Sequence, residues 1–484
     1  MSKRKTSCYS SDVEKELMDD GYPLPTLGSL HESHLRKEIF VKKLLLCKSF
    51  CSFSKRSKGK SGVLRLRSEW IEVRKRILFE LIDYVSVTDD SLDEEPLQLV
   101  VNLVEELICS ERPPVPAHYN QSSLFYPKDK SDVPTSFEVV EEETSIEDTE
   151  WSIIQLVYEL FIQMITTDGL DIKCCLKYIT ESFISKIFHL FRIGDIRERD
   201  YLKTIIHRIY RRFIRRRSFL RIKINEFLFS YIFEGEPCYG IREILEIQSS
   251  IVHGFAVPLK EEHKDTLFRY LMPLHRKAEL EIFFPQLLSC VHSFAEKDPT
   301  LIPSILSRLC SGWPSCNSMK QILYINVVEI VLQSVTENVF AKISRAVWLE
   351  LSKCTCCPHF QVAERAISLW NDTRLVKMMA SYRKELFISL FESLDTVIEK
   401  HWCKSVCSIA LKVKQQWMRT IPDFFQRHQQ KSFDYGRTMD TSYPKRKKEN
   451  ESPSLVGNSA SVTSLIETSR DFVKACTEYK VESI

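Results

Sequence analysis

Seventeen residues, "HRIYRRFIRRRSFLRIK" at 207–223, hold eight Lys or Arg side chains and no carboxylate. Guanidinium groups recognise phosphates and carboxylates through paired, charge-assisted hydrogen bonds. The run could therefore grip nucleic acid, serve as an import signal, or take an acidic peptide. A second group, "CTCCPHF" at 354–360, brings Cys354, Cys356, Cys357 and His359 together. Thiolates and imidazoles ligate zinc, but a zinc site draws on two separated pairs. One crowded cluster before a proline reads first as a helix end entering a turn.

Catalytic constellations are missing from the sequence. "GDIRERD" at 194–200 begins like a carboxylate motif for a two-metal phosphatase. It lacks the final glycine, and no Gly-Asn-His-Glu follows, so its first expectation is a helix start capped by Asp195. No glycine-rich phosphate loop, G-x-S-x-G or H-E-x-x-H is present. Cys403 and Cys407 lie one helical turn apart and read as ordinary thiols. The expectation is a chain without enzymatic activity, catalytic residues, metal or cofactor.

Whatever the basic run binds, something must display it. Glycine occurs 12 times in 484 residues, with none between Gly254 and Gly312 or between Gly312 and Gly436. Sheets and phosphate loops consume glycine in tight turns, so helices joined by polar or proline turns are expected. In "EWIEVRKRILFELIDYV" at 69–85, Trp70, Val73, Ile77, Leu81 and Tyr84 recur at spacings of three and four, an amphipathic stripe. Breaks follow at 168–173, 233–240, 255–263, 296–299 and 311–318. That rhythm predicts stacked helix pairs of roughly 40–47 residues each. The expected fold is an all-α solenoid of about eight HEAT-like pairs over 37–430, between a disordered polar tail at 1–36 and a polar, mostly disordered tail at 431–484. Residues 110–136, with Pro113, Pro114, Pro116, Pro127 and Pro134, read as an extended loop.

The net charge is only +3, because acids cluster in turn at "DDSLDEE" (89–95) and "EEETSIEDTE" (141–150). Charge sorted in this way implies faces of opposite sign with different partners. Sixteen cysteines without a secretory signal read as reduced thiols; Cys47, Cys290 and Cys310, in apolar helical stretches, read as small packed hydrophobes. No apolar run approaches the roughly 18 residues of a membrane span. On a helix, Leu202, Ile206, Ile209 and Phe213 fall on one side and Arg208, Arg211, Arg212 and Arg215 on the other, with His207 and Tyr210 at the border. The basic run is thus the cationic face of a packed helix.

Four stretches resemble the B′ regulatory subunits of protein phosphatase 2A: "RERDYLKTIIHRIYRRF" (197–213), "GIREILEIQSSIVHGFAVPLKEEHK" (240–264), "LMPLHR" (271–276) and "CPHFQVAERAISLWN" (357–371). Weaker similarity runs from about Lys37, through 69–85 and 137–161, to "FFQRHQQ" at 424–430, some four fifths of the chain. The resemblance implies a right-handed superhelix of HEAT-like repeats without catalytic activity. It also implies assembly with the phosphatase scaffold and catalytic subunits, and a groove for short L-x-x-I-x-E peptides on substrates.

By the same resemblance the groove is lined by His207, Arg208, Tyr210, Arg217, Ile247, Ile251, Lys260 and His263, all of the family's residue type. Ile247 and Ile251, with His207 and Tyr210, would form pockets for two aliphatic side chains. Lys260 and His263 would meet the glutamate, and Arg208 and Arg217 further acids or phosphates. Arg211 and Arg215 stand where the family has glycine or small residues, and His253 replaces a usual asparagine; these added cations would favour more acidic flanks. The loop Glu141, Glu142 and Glu143 resembles a segment lying toward the catalytic subunit, and reads equally well as a solvated loop.

Two other readings remain open: a helical adaptor for acidic peptides that does not assemble with the phosphatase, and a nucleic-acid-binding solenoid. Against the second, "EILEIQSS" at 243–250 does not continue the basic stripe. "PKRKK" at 444–448 is an import signal or a solubilising patch, which leaves cytoplasmic and nuclear residence both open. "VTSLIE" at 462–467 spaces Val462, Leu465 and Glu467 like a degenerate groove ligand.

Overall fold

The computed structural model describes residues 24–30, 32–56, 61–87, 94–107, 148–167, 171–192, 195–235, 239–422 and 424. Glu141, Glu142, Glu143, the basic cluster 444–448 and Val462, Leu465 and Glu467 lie outside them. Among the described residues there is no strand. The chain divides into Met1–Thr420 and Ile421–Ile484, and all the helices below belong to the first unit.

They are α1 (Ser33–Arg56), α2 (Ser61–Val87), α3 (Glu94–Leu107), α4 (Asp148–Thr166), α5 (Ile172–Tyr178), α6 (Glu181–Leu190), α7 (Ile196–Arg212), α8 (Arg217–Phe229) and α9 (Ile241–His253). There follow α10 (Glu261–Asp265), α11 (Leu280–Lys297), α12 (Ile302–Cys310), α13 (Ser318–Gln333), α14 (Arg345–Thr355), α15 (Phe360–Ser368), α16 (Thr373–Tyr382), α17 (Lys384–Lys400) and α18 (Lys404–Thr420). One layer runs α2, α4, α7, α9, α11, α13, α15, α18, each packed on the next. The other includes the successions α1–α3–α5, α6–α8 and α12–α14–α17. Each element touches mainly its neighbours along the series, which is the quasi-one-dimensional order of an all-α solenoid.

Local chemistry explains where helices begin. Asp171, Thr180, Asp195, Asn317, Ser344 and Asp372 each accept a hydrogen bond from a first-turn amide, satisfying donors that have no partner inside the helix. The stripe predicted on α2 is buried at Ile77, Leu81 and Tyr84. The expected period also reappears physically. Cys290 Sγ donates to the Leu245 carbonyl 45 residues earlier, and Trp417 Nε1 to the Trp370 carbonyl 47 earlier. Corresponding positions of successive repeats meet edge to edge.

Two details differ from the sequence reading. Residues 24–30 carry a short turn, Leu27–Ser29, with Leu27 buried and its amide held by Glu80, and α1 begins at Ser33. The ordered part therefore reaches into the stretch expected to be tail. The basic run is also not one helix, because α7 stops at Arg212 and Phe213 (φ −101°, ψ 84°) leaves helical geometry. Phe213 is fully buried, and its packing turns the chain into α8.

Candidate functional site

The site grows from the α7–α9 contact. Leu202, Ile205, Ile206 and Ile209 are fully buried and fix the rotation of α7. One edge of the helix then faces α9 through polar side chains spaced one turn apart. Arg199 Nε lies 3.3 Å from Glu243 Oε1, Lys203 Nζ donates to Glu246 Oε2 at 2.8 Å, and His207 Nε2 lies 2.9 Å from Ser250 Oγ. These separations of 44, 43 and 43 residues make a ladder that sets the register of the two helices. It runs from a buried rung at Arg199 to an open one at His207.

At the open end, Arg217 begins α8 and turns back on α7. Its Nε donates to the Tyr210 carbonyl at 2.9 Å and its Nη2 to the Arg211 carbonyl at 3.1 Å, capping orphan carbonyls where a cation also suits the helix dipole. Its guanidinium lies 5.2 Å from the Tyr210 ring centroid, a cation–π distance. One turn further, Arg221 donates to Glu262 of α10 at 2.9 Å. Arg217 and Arg221 therefore connect, along one face of α8, the His207–Tyr210 corner to the Lys260–His263 corner. Lys260 stands exposed at the N-cap position of α10, its carbonyl accepting from the His263 amide at 3.0 Å. The His263 ring stacks on Phe255 at 3.6 Å and its Nδ1 is buried without a hydrogen-bond partner.

Burial, helped by Arg208 and Arg211, lowers the pKa of His207 below its ordinary value. Burial and Arg221 do the same for His263, against the opposing charge of Glu262. Both imidazoles are therefore neutral at pH 7, and the fixed charge comes from Arg208, Arg211 and Lys260, all exposed.

The isoleucines behave differently from expectation. Ile247 and Ile251 do lie one turn apart on α9, but they are only 1% and 2% exposed. They are packed core residues of α9 rather than the lining of open pockets, because close packing leaves no gap over them. One cation assigned to the outer face, Arg212, is also turned inward, as is its neighbour Arg216. Arg212 donates to the Ile165 carbonyl, and Arg216, in the turn after α7, to Glu181 and the Leu176 carbonyl. Ser250 and Arg221 were missed by the sequence reading; the available signal was their spacing, three residues after Ile247 and four after Arg217.

The other candidate chemistry has structural explanations. Asp195 caps α7 by accepting from the Arg197 amide at 2.9 Å. Cys354 is buried near the end of α14, and His359 holds the N-cap position of α15. Among the described residues no three His, Cys, Asp or Glu side chains gather so as to hold a metal ion, and no helix is long and apolar enough to cross a membrane.

The helical stack thus ties repeat to repeat through polar side chains and leaves Arg208, Arg211 and Lys260 exposed beside them, the architecture of a scaffold. Residues 24–452 match the model of the protein phosphatase 2A regulatory B subunit (B56) family. The B′ theta isoform of the 57 kDa regulatory subunit of serine/threonine protein phosphatase 2A from Arabidopsis thaliana is 35% identical over 380 residues, 78% of this chain and 73% of that one. The alpha isoform of the 56 kDa regulatory subunit from Homo sapiens is 32% identical over 397 residues, 82% and 76% of the two chains. The chain belongs to the B56 family of phosphatase 2A regulatory subunits.

Proposed function

We propose that this regulatory subunit joins the phosphatase scaffold and catalytic subunits and brings substrates to them through the α7–α9–α10 crevice, which takes short L-x-x-I-x-E peptides. The observation that carries the reading is the linkage of the two corners. His207 is tied to Ser250, Arg217 to Tyr210 and Arg221 to Glu262, so Arg208 and Lys260 edge one continuous crevice. Lys260 and His263 meet the ligand glutamate, Arg208 and Arg217 its other acids, and the aliphatic side chains reach Ile247 and Ile251 by displacing the cover over them. Two anchors and one charge contact correspond to roughly micromolar affinity, about −8 kcal/mol.

Arg212 is turned inward to the Ile165 carbonyl and Arg216 to Glu181 and the Leu176 carbonyl, so neither is presented to a phosphate backbone, as a counterion-releasing nucleic-acid surface would require. The test is co-purification of the Arg208→Glu, His207→Ala variant with scaffold and catalytic subunits. Retained assembly with lost peptide capture supports the reading. Absent assembly of the unsubstituted chain, with peptide still bound, points to an adaptor outside the phosphatase.

A further inference from the structure

Three arginines run directly into a serine at "RRRS", Arg215–Ser218. Arg215 is exposed and has no partner among the described residues, and Ile214 before it is 72% exposed. Ser218 is exposed as well, and its hydroxyl makes no hydrogen bond among the described residues. It is the second residue of α8, a helix with no side-chain cap and no acid in its first turn. The hydroxyl therefore has no structural role. An arginine three residues before an accessible hydroxyl is the pattern selected by a serine kinase whose substrate cleft carries carboxylates.

The position gives a phosphate leverage on the crevice. Ser218 precedes Arg221 by three residues, which makes the two side chains neighbours on the helix surface. Arg221 is held to Glu262 at 2.9 Å, with 22% and 54% of the two side chains exposed. Such an exposed pair contributes little, whereas a phosphoserine brings a charge of about −1.5 to −2 at pH 7 and three strong acceptors. Drawn toward the phosphate, Arg221 would leave Glu262 without its guanidinium. Glu262 Oε1 also lies 3.4 Å from His263 Nε2 and follows exposed Lys260 by two positions. Its released charge would stand where the ligand glutamate must land. One modification thus adds negative charge beside Arg217 and Arg221 and unmasks more beside Lys260.

Resting on the peptide reading above, we propose that Ser218 is the acceptor for an arginine-directed serine kinase, and that its phosphorylation closes the crevice to acidic peptides. The transfer forms a bond between Ser218 Oγ and the γ-phosphorus of ATP and breaks the bond from that phosphorus to the β–γ bridging oxygen. ADP leaves, and the hydroxyl proton passes to the kinase.

Full-length chain is incubated with magnesium ATP and a kinase selective for R-x-x-S, and modified residues are located by fragmentation mass spectrometry. It is then titrated calorimetrically with L-x-x-I-x-E peptides carrying acidic or alanine flanks. Phosphate should appear on Ser218 and weaken the acidic-flanked peptide about tenfold and the alanine-flanked one about threefold. Ser218→Ala should bind both peptides as the unmodified parent does, which shows that it is folded, and should lose the response to the kinase. Absence of phosphate on Ser218 overturns the site. Phosphate on Ser218 with unchanged affinity, or a response kept by Ser218→Ala, overturns the closure and leaves the groove standing. Failure of the unmodified chain to bind either peptide overturns the groove, and with it the effect assigned to the phosphate.

Discussion

Arg199 of α7 and Glu243 of α9 form an ion pair at 3.3 Å with 2% and 6% of their side chains exposed. Burial pushes the Glu243 carboxyl above its usual range despite the neighbouring guanidinium. Such a pair sets register more than it adds stability, since desolvation offsets much of the attraction. Breaking it is costly. Arg199→Met strands a buried carboxyl and should destabilise the chain by roughly 3–5 kcal/mol in urea unfolding. Arg199→Met with Glu243→Leu should recover most of that loss. A single variant as stable as the parent would remove the pair from any structural role.

His275 gives the chain an acid sensitivity away from the crevice. Burial lowers its pKa to about 4, and its Nδ1 lies 3.1 Å from the Met272 carbonyl. A base whose folded pKa is depressed stabilises the fold above its unfolded value and loses that contribution as pH falls from about 6.5 toward 4. The expected loss over this range is about 3 kcal/mol. His275→Phe, which keeps a ring against Tyr324, should flatten this part of the stability profile. An unchanged profile would place the sensitivity elsewhere.

Gly240 precedes α9 because nothing larger fits. A Cβ there would lie 2.6 Å from the Phe191 carbonyl oxygen and 2.7 Å from the Phe191 Cβ, so backbone must move. Gly240→Ala should cost about 1–3 kcal/mol and weaken peptide binding by displacing Ile247 and Ser250. Gly28→Ala, with nothing within 4 Å, should leave the thermal midpoint within about a degree of the parent's.

Peptide affinity should rise on acidification. His207 and His263 are neutral at pH 7, and a bound carboxylate favours their charged forms. Proton uptake should therefore strengthen binding by about two- to tenfold between pH 7.5 and 5.5, before the ligand's own carboxylates titrate. His207→Ala with His263→Phe should abolish the slope. A slope retained in that variant would assign it to other groups.

Much of the architecture was legible because it is written locally. Asp195 as a cap, the stripe Leu202–Ile206–Ile209–Phe213 and a period near 45 residues follow from backbone donors and helical geometry. What stayed hidden depends on partners about 40 residues away. Arg212 looked solvated until the Ile165 carbonyl took it, and Arg217 looked free until it closed the end of α7. The burial of Ile247 and Ile251 is set by neighbouring helices rather than by their own spacing.

The central claim is that one crevice spanning α7, α9 and α10 captures an aliphatic, glutamate-bearing segment. Calorimetric titration of an L-x-x-I-x-E peptide into the full chain tests it most directly, run beside Lys260→Glu and beside a peptide with its glutamate changed to alanine. The predicted result is a dissociation constant near micromolar for the parent pair, weakened at least tenfold by either change and little further by both together. Binding that is indifferent to Lys260 and to the ligand glutamate would contradict the account.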